Sequence, residues 1–416
     1  MFQADLRHVI YALSDALDLV GIDDVAHGKR VGIMAAECGK SLGLPAEATT
    51  FLFDLGMLHD IGVSSTRTHH HLVSEFDWEG SQVHAEVGHV LLREFSPLAS
   101  MALPVLFHHT PWERLQEVAG LDETVARQAN LIFLVDRVDA LSAPYYGDGT
   151  LLLHKEEIRD KIRQRVVTYF APELVECFLE TSRSEAFWLL LEPRSIQAYL
   201  QNQLNQGSRY QATVHELKQL AGIFSRIVDA KSPFTAQHSL GVSRLARFLA
   251  EQVGIANENC DKLEIAGLLH DLGKLRVPDE ILDKPGKLDP QERQIINTHA
   301  FETFQILRNI KGFEEVTPWA SYHHEEPGGT GYPFHLQGET LPLEARILRV
   351  ADIFQAMVQN RPYRSGLSGT DALDFLDNLV GQKKLDADIV NVIRTKLDLS
   401  LAAALPADDT FHDHRH

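Results

Sequence analysis

The sequence predicts an all-α protein built from two tandem helical bundle domains. Apolar residues recur at spacings of three and four, as in VSRLARFLAEQVGI and ARILRVADIFQAMV, which is the period of a helix. Alternating apolar and polar runs bounded by turn pairs, which would indicate strands, are scarce. A pattern of His and Asp residues occurs once in each half of the chain, which indicates an internal duplication.

The duplication is visible in six intervals between His and Asp residues. They run 32, 1, 24, 24, 1 and 27 in the N-terminal half and 32, 1, 28, 24, 1 and 28 in the C-terminal half. Four of the six are identical although His accounts for only 21 of 416 residues, so duplication explains them better than chance. The N-terminal set is His27, His59, Asp60, His84, His108, His109 and Asp136. The C-terminal set is His238, His270, Asp271, His299, His323, His324 and Asp352.

The domain boundaries follow from composition. The first domain is expected over residues 1–195, and the Gln- and Asn-rich stretch 196–215 is expected to form a connecting helix, broken near Gly207. The second domain is expected over 216–405, followed by a disordered, solvated, His-rich tail over 406–416. The run His69–His71 does not align with the repeated pattern and is expected in a solvated loop.

Composition and charge exclude several classes of protein. The formal net charge of -19 argues against a nucleic-acid polymer as partner, because phosphate backbones require clustered Lys and Arg, whereas a small nucleotide requires few cations. No apolar run reaches the roughly 18 residues of a membrane span. The acidic N-terminus does not read as a signal peptide, and three scattered cysteines fit a reducing compartment. We therefore expect a cytoplasmic protein without a membrane partner.

The C-terminal set has the composition of a transition-metal centre. Imidazole suits zinc, iron, nickel or copper, and carboxylate suits manganese or magnesium, so five His with two Asp favour iron or manganese. Seven ligands are too many for one tetrahedral ion. They suit two divalent ions about 3.5–4 Å apart, a spacing used for phosphoryl-ester hydrolysis. A lone His is more often an ordinary helix residue, but the complete duplicated set predicts metal binding.

The motifs around these residues resemble a known family. His270 and Asp271 lie in LLHDLGK, and HHEEPGGTGYP runs from His323 to Pro333. Together, and in this order, they are similar to the motifs of the HD-GYP phosphodiesterases, over about residues 220–400. The resemblance implies HD-type helical bundles with the metals in the middle. It also implies hydrolysis of cyclic di-GMP or 3',3'-cyclic GMP-AMP to a linear dinucleotide, and to mononucleotides if a second bond is cut.

The resemblance further implies a role for each residue. One metal would be held by His238, His270, Asp271 and Asp352. The other would be held by Asp271, which bridges, with His299, His323 and His324, and a hydroxide between the metals would be the nucleophile. Lys274 would contact the phosphate and assist the leaving oxygen, unless it is a solvated surface residue. Substrate contacts would come from Lys274, Gly329, Gly331, Tyr332, Arg361 and Arg364.

These substrate contacts have physical support and an open alternative. Glycine permits close backbone approach to a ligand, and the aromatic ring and hydroxyl of Tyr332 would then lie near it. The guanidinium forks of Arg361 and Arg364 match phosphate geometry, although basic residues also cap helix ends.

The chain departs from the family pattern in three segments. Gly328 stands where Asp is usual, and Gln355–Met357 reads Gln-Ala-Met where Asp-Ala-Leu is usual. Phe234 stands where some members carry a glutamate that supports a third metal, so we expect two metals. Glu325 is retained and is expected to support the loop or a neighbouring His.

The N-terminal set keeps all seven metal-type residues but lacks the accessory groups. Val63 stands where Lys274 would be, Thr110 stands where Glu325 would be, and no Gly-Tyr-Pro loop follows. This half resembles an HD domain without the GYP motif. Three interpretations stay open: it holds metal and regulates or dimerises the protein, it hydrolyses another nucleotide, or it is a scaffold with structural histidines.

The sequence thus favours a metal-dependent cyclic dinucleotide phosphodiesterase. The alternative is a receptor or signalling adaptor that binds the nucleotide without turnover, which Gly328 and the altered helix after Asp352 keep open. A phosphohydrolase acting on mononucleotides is a third alternative, against which the Gly-Tyr-Pro loop argues. A homodimer through the connecting helix, or a signalling protein partner, is a further expectation.

Overall fold

The computed structural model describes residues 2–21, 26–74, 80–206, 210–232, 238–284, 286–360 and 365–405. Within these ranges α-helices dominate, and the strands β1 (Ala4–Asp5) and β2 (Gln211–Ala212) form one short antiparallel pair. The predicted all-α class is confirmed. Five expectations concern parts of the chain outside the described residues: those for Gly207, Phe234, Arg361, Arg364 and the tail 406–416.

The chain divides into two compact units. The N-terminal unit is Leu17–Arg209, and the C-terminal unit is Met1–Ala16 together with Tyr210–His416. Residues 1–16 therefore belong with the C-terminal unit, whereas composition predicted them in the first domain. The physical reason is the strand pair, in which Ala4 lies opposite Ala212, extended by a hydrogen bond from Leu6 N to Tyr210 O of 2.9 Å. Two-residue strands are too short to leave a periodic signal.

The N-terminal unit consists of the helices that follow α1 (Leu6–Asp18). They are α2 (His27–Ser41), α3 (Ala46–Leu58), α4 (Thr66–Ser74), α5 (Ser81–Arg93), α6 (Ala102–Phe107), α7 (Trp112–Leu115), α8 (Glu123–Ser142), α9 (Leu151–Arg163), α10 (Pro172–Thr181), α11 (Glu185–Leu189) and α12 (Pro193–Gln206). The first half of the stretch expected to connect the domains is thus helical, as part of α12.

The C-terminal unit continues after β2 with a second series of helices. They are α13 (Val214–Ala230), α14 (His238–Gln252), α15 (Asn257–Leu269), α16 (Asp279–Leu282), α17 (Pro290–Asn297), α18 (His299–Leu307), α19 (Val316–Ser321), α20 (Leu343–Val358), α21 (Gly369–Gly381), α22 (Ala387–Thr395) and α23 (Leu397–Ala404). None of the helices in the described ranges combines the length and apolar character that crossing a bilayer requires.

The same packing recurs inside each unit. In the N-terminal unit α2 packs against α3 and α8, and in the C-terminal unit α14 packs against α15 and α20. The apolar faces of these helices form the cores, with fully buried rings such as Phe53, Phe133 and Phe354. The corresponding helices carry corresponding His and Asp residues, so the repeated spacing in the sequence is a repeated spatial arrangement.

His69 does not lie in a solvated loop, and that expectation is wrong. His69 to His71 lie on α4, and His69 is buried. Its ring packs against the backbone of Gly21 and stands edge-on to the ring of His27, with 6.0 Å between the centroids. A polar run carries no periodicity that would have indicated this packing.

Two glycines allow the segment after each His-Asp pair to approach the next helix. A Cβ atom on Gly273 would lie 2.1 Å from the carbonyl oxygen of His299. A Cβ atom on Gly62 would lie 2.0 Å from the carbonyl oxygen of His84. No side chain fits at such distances, so these contacts set how near the helices bring their histidines.

Replacing Gly273 should therefore disturb the position of α18. We expect Gly273→Ala to lower the free energy of unfolding by about 1–3 kcal/mol, because the new methyl group forces the backbone apart. Urea denaturation of the full chain measures the change. The control is Gly222→Ala on α13, where the methyl group meets no atom within 4 Å. The control should be neutral or stabilising by up to about 1 kcal/mol, and equal effects of the two substitutions would contradict the role of Gly273.

Candidate metal centres

The seven residues of the C-terminal set converge within the C-terminal unit. They are supplied almost entirely by helix ends: His238 begins α14, His270 and Asp271 follow α15, His299 begins α18, His323 and His324 follow α19, and Asp352 lies within α20. Five of the seven residues are buried, and His324 and Asp352 are partly exposed. The structure thus brings together every metal-type residue that the spacing singled out in this half.

Helix ends also orient the imidazoles. The Nδ1 atoms of three histidines donate to the carbonyl oxygens three residues earlier, at 2.8 Å for His270, 2.6 Å for His299 and 2.7 Å for His323. These carbonyls belong to the last turns of helices, where no intrahelical amide is available. A carbonyl oxygen only accepts, so the proton resides on Nδ1 and the Nε2 lone pair is directed at the centre.

The carboxylate of Asp271 lies between two groups of imidazoles. Its Oδ2 atom is 3.4 Å from Nε2 of His270 and 3.8 Å from Nε2 of His238. Its Oδ1 atom is 3.4 Å from Nε2 of His299 and 3.9 Å from Nε2 of His323. Each oxygen therefore faces a different group, which is the arrangement of a carboxylate able to bridge two cations.

The first group is completed by Asp352, whose Oδ1 atom lies 3.2 Å from Nε2 of His238. On the other side of the ring, Nδ1 of His238 donates to Oε1 of Gln355 at 2.6 Å. Buried Asp229 accepts from the backbone amide of Ser239 at 3.2 Å and from its hydroxyl at 2.8 Å, which caps the start of α14. Gln355 and Asp229 were missed as supporting residues, because their partners lie far away in sequence or carry no motif.

Burial sets the protonation of most of the centre. It lowers the pKa of His299 to about 4, and together with neighbouring imidazoles it holds the pKa of His323 and His324 well below the usual range. Burial opposes ionisation of Asp271, but the charges of His270 and Lys274 outweigh it and hold the pKa well below normal. Neutral imidazoles and an ionised carboxylate are the forms that bind metal.

His238 is the exception among these imidazoles. Burial opposes its protonation, but the hydrogen bond and the charge of Asp352 outweigh burial and raise the pKa of His238. A proton and a metal ion therefore compete for its Nε2 atom.

Lys274 lies at the edge of the centre. Its Nζ atom is 2.5 Å from Oδ2 of Asp271, and 20% of its side chain is exposed. Burial opposes the charged ammonium, but the carboxylate of Asp271 outweighs it and raises the pKa of Lys274. The ammonium is therefore protonated at neutral pH and has access to a ligand from the solvent side.

The Gly-Tyr-Pro loop folds back over the His pair. The ring of Tyr332 stacks on that of His324, with centroids 4.7 Å apart. Gly329 has a φ of +79°, and a Cβ atom on Gly331 would lie 2.4 Å from the amide nitrogen of Glu326. Both positions require glycine.

Buried carboxylates hold this loop in place. Glu325 accepts from the amides of Phe334 at 2.6 Å and Leu336 at 2.9 Å, so it supports the loop. Arg349, one helical turn before Asp352, pairs with Glu326 at 2.8 Å and donates to the His323 carbonyl at 3.3 Å. Arg349 was missed, although a lone Arg on the apolar face of α20 was a usable signal.

The N-terminal set converges in the same manner. Nδ1 of His59 donates to the Gly56 carbonyl at 2.7 Å, and Nδ1 of His108 donates to the Val105 carbonyl at 2.5 Å. Asp60 directs Oδ1 at His84 and His108 and Oδ2 at His27 and His59, at distances of 3.2, 3.6, 3.7 and 3.6 Å. Burial lowers the pKa of His108 to about 4.

The partners around the N-terminal set differ from those around the C-terminal set. Nδ1 of His27 lies 2.8 Å from Oδ2 of Asp139, which is the counterpart of Gln355. Arg30 donates to Asp139 from Nε at 2.6 Å and from Nη2 at 2.9 Å. The hydroxyl of Tyr146 also donates to Asp139, at 2.6 Å. The chain reads Asp-Ala-Leu from Asp139, so this half carries the tripeptide that the other half lacks.

Both centres fit divalent metal ions. In each unit, groups of three or four ligand atoms lie within 4.8 Å of one another. The Nε2 atoms of His59, His109 and His270 are buried and find no hydrogen-bond partner among the described residues. An unpaired buried imidazole nitrogen is unfavourable unless a ligand completes it. The donor set of imidazole nitrogen and carboxylate oxygen is that of a transition-metal site.

Comparison with known proteins decides the family. Residues 222–389 match the HD domain family. The chain is 36% identical over 401 residues to 3'3'-cGAMP-specific phosphodiesterase 1 of Vibrio cholerae, covering 94% of this chain and 92% of that protein. The chain belongs to the HD-GYP family of HD-domain phosphodiesterases. The prediction of an enzyme of this class is confirmed.

Two further similarities agree with this HD-GYP assignment. 3'3'-cGAMP-specific phosphodiesterase 3 of Vibrio cholerae is 36% identical over 251 residues, which is 60% of this chain and 54% of that protein. A crystal structure of a cyclic GMP-AMP-specific phosphodiesterase from V. cholerae matches with a TM-score of 0.65 and 24% identity, over 95% of this chain and 98% of that one. The structural match supports the HD-type helical fold.

The hydrogen bond from His238 to Gln355 should tune metal affinity in this HD-GYP protein. We expect Gln355→Leu to weaken binding at the C-terminal centre by about 10–100-fold, because His238 loses the acceptor that fixes its orientation. Titration of metal-free protein with Mn²⁺ against a competing chelator measures the loss. Gln355→Glu keeps an acceptor and is the matched control. Equal affinities of the wild type and Gln355→Leu would refute the role of Gln355.

Proposed function

We propose that this protein is a metal-dependent phosphodiesterase that opens 3',3'-cyclic GMP-AMP at its C-terminal centre. The observation that carries the proposal is Asp271, whose two oxygens face two groups of imidazoles with the Lys274 ammonium alongside. The relative that covers almost the whole chain is named for 3'3'-cGAMP, which favours this substrate over cyclic di-GMP. The net charge of -19 suits a small nucleotide better than a nucleic-acid polymer.

The proposed ligands form two groups that share Asp271. His238, His270 and Asp352 with Oδ2 of Asp271 would hold one ion, and His299, His323 and His324 with Oδ1 would hold the other. Iron or manganese is favoured by this mixture of imidazole and carboxylate. Two such ions, when bound, make water a competent nucleophile near neutral pH and neutralise charge on the phosphoryl oxygens.

The residues of the chain supply orientation and a proton. Hydrolysis breaks one phosphorus–oxygen bond of the ring, and the departing ribose oxygen must acquire a proton. Lys274 is protonated and partly exposed at the edge of the centre, so it is the group that can donate this proton or its charge. Gly329 and Gly331 would let the backbone approach the substrate, and Tyr332 would border it. Arg361 and Arg364 would add phosphate contacts.

We further propose that the N-terminal unit is a second HD domain, without the GYP motif, that regulates the protein and does not hydrolyse the nucleotide. Its seven metal-type residues converge as in the C-terminal unit, which supports the assignment. Val63 stands in place of the lysine, and no Gly-Tyr-Pro loop follows His109. The organisation would be a regulatory and a catalytic domain in one cytoplasmic signalling enzyme.

The assignment of chemistry to one centre can be tested by paired substitutions. We expect Asp271→Ala to lower kcat/KM for 3',3'-cyclic GMP-AMP at least about 10³-fold, because both ions lose a shared ligand. Asp60→Ala, the matched change in the other unit, should retain turnover. Anaerobically iron-loaded and manganese-loaded full-length protein would be assayed, with cyclic di-GMP alongside. If the fully metal-loaded wild type hydrolysed neither nucleotide, the protein would be a receptor and not an enzyme.

The role of Lys274 can be separated from metal binding. We expect Lys274→Met to lower kcat by about 10²–10⁴-fold, the range typical of a general acid, without changing the metal content. Steady-state kinetics and elemental analysis on the same samples measure both quantities. Lys311→Met, which removes an exposed lysine, is the control. An unchanged kcat in Lys274→Met would show that Lys274 takes no part in the reaction.

A further inference from the structure

The two sides of the N-terminal centre differ in one charged contact. The guanidinium of Arg137 lies against Oδ2 of Asp136, with Nη2 at 2.8 Å and Nε at 3.2 Å. Nη2 also donates to the carbonyl oxygen of Leu72 on α4 at 2.8 Å, and only 3% of the side chain is exposed. Arg137 is therefore a fixed, buried cation next to the carboxylate that His27 and His59 share.

The C-terminal unit has no such cation at the equivalent place. The counterpart of Arg137 is Ile353. Among the residues that the structure describes, the carboxylate of Asp352 makes its ion-pair contacts with His238 and His270, and with no Lys or Arg. Near that centre, Lys274 pairs with Asp271 and is partly exposed, and Arg349 pairs with Glu326 and not with Asp352.

Helix α4 closes the same side of the N-terminal centre. The ring of His69 stands edge-on to that of His27, and Leu72, which accepts from Arg137, is buried. His27, His59 and Asp136 also lie close enough together to hold an ion. A dication there would, however, lie beside the fixed guanidinium in a buried place, where repulsion between like charges is weakly screened. A substrate entering from this side would also have to displace α4.

The opposite side of the N-terminal centre is well formed for one ion. Nε2 of His84 lies 3.2 Å from Oδ1 of Asp60 and 3.2 Å from Nε2 of His108, and the third distance, between Asp60 and His108, is 3.6 Å. A tetrahedral zinc ion with ligand bonds of about 2.0–2.1 Å separates its ligands by roughly 3.3 Å. His109 completes a set of four, and within the described part of the chain its buried Nε2 atom has no hydrogen-bond partner.

We propose that the N-terminal centre holds one zinc-type ion, bound by Asp60, His84, His108 and His109, and that this ion is structural. The inference rests on the proposed function, since it takes the N-terminal unit as the non-hydrolytic one. Four protein ligands leave no open position for a substrate. The ion ties together the segment after α3, helix α5 and the segment after α6. The full chain then binds three ions, two in the C-terminal unit and one in the N-terminal unit.

Metal counting on the full chain tests the proposal. Metal-free protein would be titrated with Zn²⁺, and bound ions would be counted by native mass spectrometry. The wild type should bind three ions and His84→Ala should bind two. Arg137→Leu, which frees Asp136, should bind four, whereas the matched variant Lys274→Leu should remain at three.

Cobalt provides a second measurement in the same protein. In the double variant His270→Ala/His323→Ala, which removes ligands of the C-terminal centre, one Co²⁺ should remain and show the intense visible absorption of tetrahedral coordination. Two remaining ions, none, or an octahedral spectrum would overturn the proposal. If a variant fails to fold, the number of ions bound by the wild type still distinguishes three ions from four. Failure of the proposed function would appear separately, as absence of cyclic dinucleotide turnover by metal-loaded wild type.

Discussion

The geometry of the C-terminal centre depends on one carboxylate. Asp271 directs one oxygen at His238 and His270 and the other at His299 and His323, so a single side chain links two ligand groups. Helix-terminal carbonyls hold the Nδ1 atoms of His270, His299 and His323, and Gln355 holds that of His238, so the Nε2 atoms are directed inward. The ends of α15, α17 and α19 are therefore part of the site, and the packing of the helices decides the spacing of the two ligand groups.

The two units place cations differently around otherwise similar centres. In the C-terminal unit the cation paired with a ligand-type carboxylate is Lys274, which is partly exposed and contacts Asp271. In the N-terminal unit the cation is Arg137, which is buried and held by Asp136 and the Leu72 carbonyl. A partly exposed ammonium can contact a substrate, whereas a buried guanidinium neutralises the charge of a ligand-type carboxylate. Under the proposed function, this difference separates the catalytic centre from a centre of another kind.

Much of this site could be predicted from the sequence because metal ligands lie at helix ends, and helix lengths fix their intervals. The intervals from His27 to His59 and from His84 to His108, both repeated later in the chain, were therefore enough to indicate both sets. The supporting contacts could not be predicted in this way. His238 meets Gln355 across 117 positions and His27 meets Asp139 across 112, and such pairs are set by packing that no local pattern records. For the same reason, the short strand pair near Ala4 and the burial of His69 left no trace in periodicity.

The central claim is that each oxygen of Asp271 binds a different ion. The most direct test is anomalous diffraction from crystals of the manganese-loaded full chain, collected at the manganese edge. We expect two peaks in the C-terminal unit, about 3.5–4 Å apart, one beside each oxygen of the Asp271 carboxylate. A single peak, or two peaks of which neither contacts Asp271, would contradict the claim.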